Sequence, residues 1–224
     1  MYQRFKNRRE AGILLARKLS MYAGRSDAVV LALPRGGVPV AYEVAKALNL
    51  PLDVFVVRKL GAPGHEEFAL GSIASGGVCL VDETSVKALH VPETELNEII
   101  QREQNELERR ERLYRGARPK LDVHRKTVII VDDGLATGLT MRAAVAAIRK
   151  LHPKEIVVAV PVCAPVTCVE LEHDVDVWCV CAESPEAFYA VGLWYENFDQ
   201  TSDQEVQTLL ARADAGRVAA RHYV

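Results

Sequence analysis

Val128-Ile129-Ile130-Val131-Asp132-Asp133-Gly134-Leu135-Ala136-Thr137-Gly138-Leu139-Thr140 is the stretch that decides how this chain folds. A run of β-branched residues leads into two adjacent carboxylates and then into small residues, the pattern of a buried strand that delivers acids to the edge of a sheet. After Thr140, Met141, Ala144, Val145, Ile148 and Leu151 recur at helical spacing, so the small-residue loop is expected at a helix N-terminus. Free backbone N–H groups and the positive end of the helix dipole favour an anion there, and Thr137 and Thr140 can add hydroxyl donors. The run Gly134, Leu135, Ala136, Thr137, Gly138, Leu139 and Thr140 therefore reads as a phosphate cradle. Asp132 and Asp133 would repel a phosphate placed beside them. They are expected to face sugar hydroxyls or a hydrated divalent cation on the same ligand. The Gly-Lys-Ser/Thr ending of a nucleoside-triphosphate loop is missing, and so is the Gly-x-Gly-x-x-Gly dinucleotide fingerprint.

The hydrophobic run, the Asp-Asp pair and Gly-Leu-Ala-Thr-Gly-Leu-Thr resemble the phosphoribosyl pyrophosphate (PRPP) signature of the type I phosphoribosyltransferases. That resemblance implies an α/β fold, a parallel sheet flanked by helices on both faces. The reaction it implies is displacement of pyrophosphate from PRPP by a small nitrogenous acceptor, a nucleobase foremost. Mg²⁺ would sit on the pyrophosphate and ribose hydroxyls, reached by Asp132 and Asp133 through the ligand.

Working outward, Val29 to Leu33 is a buried strand that stops at Pro34-Arg35-Gly36-Gly37, and Val38 to Leu48 follows as a helix. This is a second strand, small-residue loop, helix unit. Paired glycines let a ligand approach the backbone, and the Arg35 fork can grip two phosphate oxygens. By resemblance, Arg35, Gly36 and Gly37 bind the leaving pyrophosphate. Leu52 to Val57 is the next strand, and it runs into Arg58 to Glu67, a polar segment without period that reads as a long mobile loop. By resemblance, Arg58 and Lys59 close over the pyrophosphate and join Asp132 and Asp133 in catalysis.

Leu70 to Ala74 and Val78 to Val81 flank Ser75-Gly76-Gly77, which predicts a hairpin at the sheet edge. Residues 92–114 are dense in Glu, Arg and Gln with a narrow apolar stripe, predicting a long charged helix. It either lies across the surface or pairs with a second copy in a homodimer. Glu155 to Val160, Pro165 to His173 and Val175 to Cys181 complete an alternation of strands and helices. Residues 182–200 read as a loop rich in aromatics, from Tyr189 to Glu196, and Thr201-Ser202-Asp203 caps a last helix. Similar segments in purine phosphoribosyltransferases contact the base. On that resemblance Tyr189 stacks on the base and Glu196 faces its edge.

The length of 224 residues is read as a single domain, 1–224, with a core over 27–181, a helical insertion over 83–118 and a C-terminal hood or lid over 182–224. A formal charge of −2 offers no net attraction to nucleic acid, which is not expected as a partner, or to an anionic membrane. No apolar run approaches the roughly 18 residues that span a bilayer, and the opening residues are unlike a signal peptide. Five cysteines without Cys-x-x-Cys pairs read as reduced core thiols in a cytoplasmic protein. Two other classes remain. A regulator of the same fold could bind PRPP or nucleotides without turnover. A phosphatase built on a strand-end Asp needs an Asp-x-Asp spacing that Asp132-Asp133-Gly134 lacks.

Overall fold

The computed structural model describes residues 4–119, 121–173, 177–183 and 188–221. The central strand, β6 (Thr127–Val131), is buried along its whole length. Its neighbours are β1 (Ala28–Ala32) and β7 (Glu155–Val162), and β2 (Leu52–Val54) and β8 (Val177–Glu183) complete a five-stranded sheet in the order β2-β1-β6-β7-β8. Every pairing in it is parallel. Side chains alternate across the pleat, which divides the core in two. Ile129 and Val131 pack on one side with Val30, Val157 and Ala159. Val128 and Ile130 pack on the other with Leu31, Ile156 and Val158. A strand buried on both faces needs a continuous apolar run, and that is what the β-branched stretch supplies.

Helices cover each face. The first carries α1 (Arg8–Lys18), α2 (Gly37–Leu48) and α7 (Asp203–Arg221), through Leu15, Val44, Leu48, Val206 and Leu210. The second carries α5 (Leu139–Arg149) and α6 (Pro165–His173), through Met141, Val145, Ile148 and Leu171. The expectation of a parallel sheet with helices on both faces is met. Ser202 accepts a hydrogen bond from the Glu205 N–H at 3.1 Å, so the expected cap of the last helix forms.

Three expectations change. Arg58 to Glu67 is not a loop: β3 (Val57–Ala62) and β4 (His65–Ala74) pair antiparallel through it, turning at Pro63 and Gly64. The chain leaves the parallel sheet at Val56, whose N–H donates to Ser75 Oγ at 2.9 Å while its carbonyl accepts from the Ser75 N–H at 2.9 Å. Leu60 and Ala62 are buried and Lys59 is exposed, an alternation that the glycines and the turn obscure in the sequence. The predicted hairpin also forms, β4 against β5 (Val78–Val81), but within a separate three-stranded sheet, β3-β4-β5.

The long charged helix, α4 (Glu93–Arg115), follows a short helix, α3 (Glu83–Ala88). It lies across the molecule and buries Ile99, Leu107 and Tyr114 in the first core. The cysteines form the third change. Cys163 directly follows β7, Cys168 lies in the first turn of α6, and that turn brings their Cα atoms to 6.4 Å as a disulfide. Cys79 is exposed, Cys181 is a half-buried free thiol, and the Cys179 side chain lies outside the described residues.

Candidate active site

β1 and β6 stop at one level, because Ala32 stands opposite Val131 and the Leu33 N–H donates to the Val131 carbonyl at 2.9 Å. The loops that follow therefore leave the sheet side by side. A Cβ at Gly37 would stand 2.6 Å from the Val131 carbonyl oxygen and 2.9 Å from Asp132 Cα, and one at Gly36 would strike the Asp133 carboxylate. The glycines are needed for this contact. Two loops picked out separately in the sequence thus meet across the acid pair.

The carboxylates are half-buried at the strand end. Asp132 Oδ1 accepts from the Asp133 N–H at 2.8 Å. Burial, and then the neighbouring Asp133 charge, raises the Asp132 pKa well above the ordinary carboxylate range. Burial also raises Asp133, against the guanidinium of Arg8. Arg8 Nε donates to Asp133 Oδ2 at 2.8 Å, and Nη1 donates to the Asp199 carbonyl at 2.7 Å. The guanidinium carbon lies 3.9 Å from the centre of the Phe198 ring, a cation–π geometry. The Tyr195 hydroxyl donates to the Asp133 carbonyl at 2.6 Å, and burial raises its pKa strongly.

The loop from Gly134 to Thr140 is braced from α6. Gly138 adopts φ +69° before the first turn of α5, whose N-terminus has no side-chain cap for its first backbone N–H groups. Thr167 Oγ1 donates to the Ala136 carbonyl at 2.6 Å, and its methyl lies 2.7 Å from where a Cβ at Gly138 would stand. Ala136, Thr137, Leu139 and Thr140 are exposed, while Leu135 is buried and bridges to Cys163.

The remaining candidates are dispersed. Arg35 faces Asp203 at the start of α7, Nη1 to Oδ1 3.9 Å. Asp203 also accepts from the Tyr114 hydroxyl at 2.6 Å, and burial with this bond pushes the tyrosine up to about 12. Arg58 donates from Nε and Nη2 to Glu103 Oε2 of α4, at 2.9 and 2.6 Å, while Lys59 points outward beside it. In the hood, Tyr189 is 85% exposed and Glu196 is exposed, its N–H donating to the Phe5 carbonyl at 2.8 Å. Val191 closes over Gly134, where a Cβ would lie 2.6 Å from its Cγ1.

Sequence reasoning missed Arg8, Tyr195, Phe198 and Thr167. The Asn7 side chain accepts from the Glu10 N–H at 3.0 Å, a cap that starts α1 at Arg8 and was legible in the sequence. Its pairing with Asp133, 125 residues away, was not.

Two glycine-bearing loops thus leave adjacent parallel strands with an acid pair between them and a braced helix N-terminus beside it. The phosphoribosyl transferase domain model matches residues 1–193, and the chain belongs to that family. Two Mycobacterium tuberculosis strains carry a protein provisionally named a phosphoribosyl transferase. Each copy is 42% identical over 209 residues, 93% of this chain and 47% of the relative. The chain thus spans about half the length of the curated relatives it matches. The crystal structure of TT1426 from Thermus thermophilus is 40% identical with a TM-score of 0.80, over 94% of this chain and 99% of that one.

Proposed function

We propose that the chain transfers the 5-phosphoribosyl group of PRPP to a small nitrogenous acceptor, foremost a nucleobase, and releases pyrophosphate. One observation carries this reading: the loop with Arg35, Gly36 and Gly37 and the loop from Asp132 to Thr140 leave adjacent strands at one level and touch. The 5-phosphate would rest on Gly134 to Thr140, taking backbone N–H groups and the hydroxyls of Thr137 and Thr140. Asp132 and Asp133 would receive the ribose hydroxyls, and Arg35 with the N–H groups of Gly36 and Gly37 would hold the pyrophosphate.

In the reaction the bond from ribose C1 to the pyrophosphate oxygen breaks, its electron pair leaves with pyrophosphate, and a bond forms from C1 to the acceptor nitrogen, which loses a proton. Positive charge developing on the ring is offset by the two carboxylates, and charge on the leaving group by Arg35, Lys59 and Arg58, which would exchange Glu103 for the ligand. Tyr189 and Glu196 are assigned to the acceptor, stacking on it and meeting a donor at its edge.

Among the described residues no cluster of three or more His, Cys, Asp or Glu side chains could cage a metal ion. Two strand-end carboxylates beside an anion loop fit Mg²⁺ that takes the rest of its shell from ligand and water. Held there, Mg²⁺ would offset charge on the leaving pyrophosphate. No described helix is long and apolar enough to cross a membrane. A cytoplasmic setting belongs to the reading, since so charged a substrate does not cross a bilayer unaided.

The test offers PRPP and Mg²⁺ with a panel of nucleobases and small amines and measures pyrophosphate release. Wild type should release it with at least one acceptor, and Asp132→Asn with Asp133→Asn should abolish release while the fold survives. Wild type that binds PRPP but never releases pyrophosphate would mark a sensor instead. Gly138→Val should weaken ribose 5-phosphate and spare pyrophosphate; the reverse would exchange the roles of the two loops.

A further inference from the structure

We infer that Arg8 is a positioning residue for the ribose-binding carboxylate: it holds Asp133 by one oxygen, so that the other is presented to the sugar. The inference rests on the ribose placement proposed above. Asp133 stands at the open end of β6, where a lone carboxylate could rotate toward solvent. Its Oδ2 is fixed by Arg8 Nε at 2.8 Å. Gly36 packs against the same oxygen. Among the described residues no side chain other than Arg8 donates to this carboxylate, which leaves Oδ1 for a ribose hydroxyl.

Arg8 is built to hold this geometry. Its side chain is 12% exposed, and that of Asp133 15%. The Asp199 carbonyl takes Nη1 at 2.7 Å, and the Phe198 ring lies 3.9 Å from the guanidinium carbon. These contacts aim Nε at the carboxylate. A guanidinium also offsets the repulsion between neighbouring carboxylates, which lets both stay close to the same ligand. The N-terminal segment does not depend on this contact for its docking. Phe5 and Lys6 are tied to residues 194–197 by backbone hydrogen bonds of 2.8 to 3.1 Å. Arg8 can therefore be altered without releasing the segment.

A double-mutant cycle tests the role, read as PRPP affinity by calorimetry with Mg²⁺ for wild type, Arg8→Gln, Asp133→Asn and the double variant. Arg8→Gln should bind PRPP roughly 10- to 100-fold more weakly, as expected when a charge-assisted hydrogen bond is lost. Inorganic pyrophosphate should bind it as it binds wild type. Arg8→Lys should recover part of the loss. The double variant should bind no more weakly than Asp133→Asn alone, because Arg8 acts through Asp133. An unchanged PRPP affinity in Arg8→Gln, or the same loss repeated in full on the Asp133→Asn background, would overturn the inference and leave the proposed function standing. If Asp133→Asn itself bound PRPP as wild type does, the ribose placement and this inference would fall together. A merely structural Arg8 would weaken pyrophosphate and PRPP alike and lower the melting temperature, and that result would overturn it too.

Discussion

Asp132 shows at one residue how a half-buried pair of acids costs stability. Its carboxylate is taken partly out of water beside a second acid, and both effects favour the protonated form in the folded chain. The folded state therefore keeps a proton that the unfolded chain has released by about pH 4. The stability linked to this group is fully present below that pH and is lost as pH rises toward the raised folded value. Asp132→Asn does not titrate, and its Oδ1 can still accept the Asp133 N–H. The variant should melt higher than wild type at pH 7 without ligand, and the gap should close as pH falls toward about 4. Melting curves across that range decide it, and a variant less stable at pH 7 would show that the acid is not under strain from burial.

At the scale of elements, α4 and β3 are joined through Arg58 and Glu103. The Glu103 side chain is 10% exposed and Arg58 29%, so removal of the cation leaves an acid with little water around it. Arg102 also reaches Glu103 but is 62% exposed and compensates poorly. Arg58→Met should lower the free energy of unfolding by about 1–3 kcal/mol, and adding Glu103→Gln should restore most of it. Urea denaturation of the two variants reads this directly. Additive losses would mean that the two groups do not act as a pair. The antiparallel arm was illegible in the sequence for a related reason. Its strands take their order from backbone pairing and from α4 beneath, with Leu60, Ala62, Leu70 and Ile73 packed into the first core and Ala74 into the second.

Over the whole molecule, the start of the chain closes the far end of the site. The Phe5 ring lies 5.5 Å from that of Tyr195, in a small cluster with Ala11 and Val162 that is apart from the two main cores. A satellite cluster can open without unfolding the sheet. Phe5→Ala should speed amide exchange at Glu196 and Asn197 by about tenfold or more, while Ile129 and Ile130 exchange as in wild type. Hydrogen exchange read by mass spectrometry is the measurement. Equal acceleration in β6 would mean that the hood and the core unfold as one unit.

Local pattern was enough for the parallel sheet, the strand-end acids and the two glycine-bearing strand-to-helix loops, because each depends on residues adjacent in the chain. A buried β-branched strand, a glycine loop and a helix of period 3.6 are written within about a dozen residues. That the two loops touch followed only from the register of β1 on β6. The same limit hid Tyr195: only the fold turns its hydroxyl onto the Asp133 carbonyl. Composition read the cysteines as separate thiols, whereas the turn into α6 brings Cys163 and Cys168 together. Arg8 is the clearest case. As one cation among several in α1 it carries no distinguishing local signal, and only packing across 125 residues sets it on Asp133. Sequence determines the parts whose energetics are local, and tertiary structure decides which charge faces which, because that depends on distances no linear spacing records.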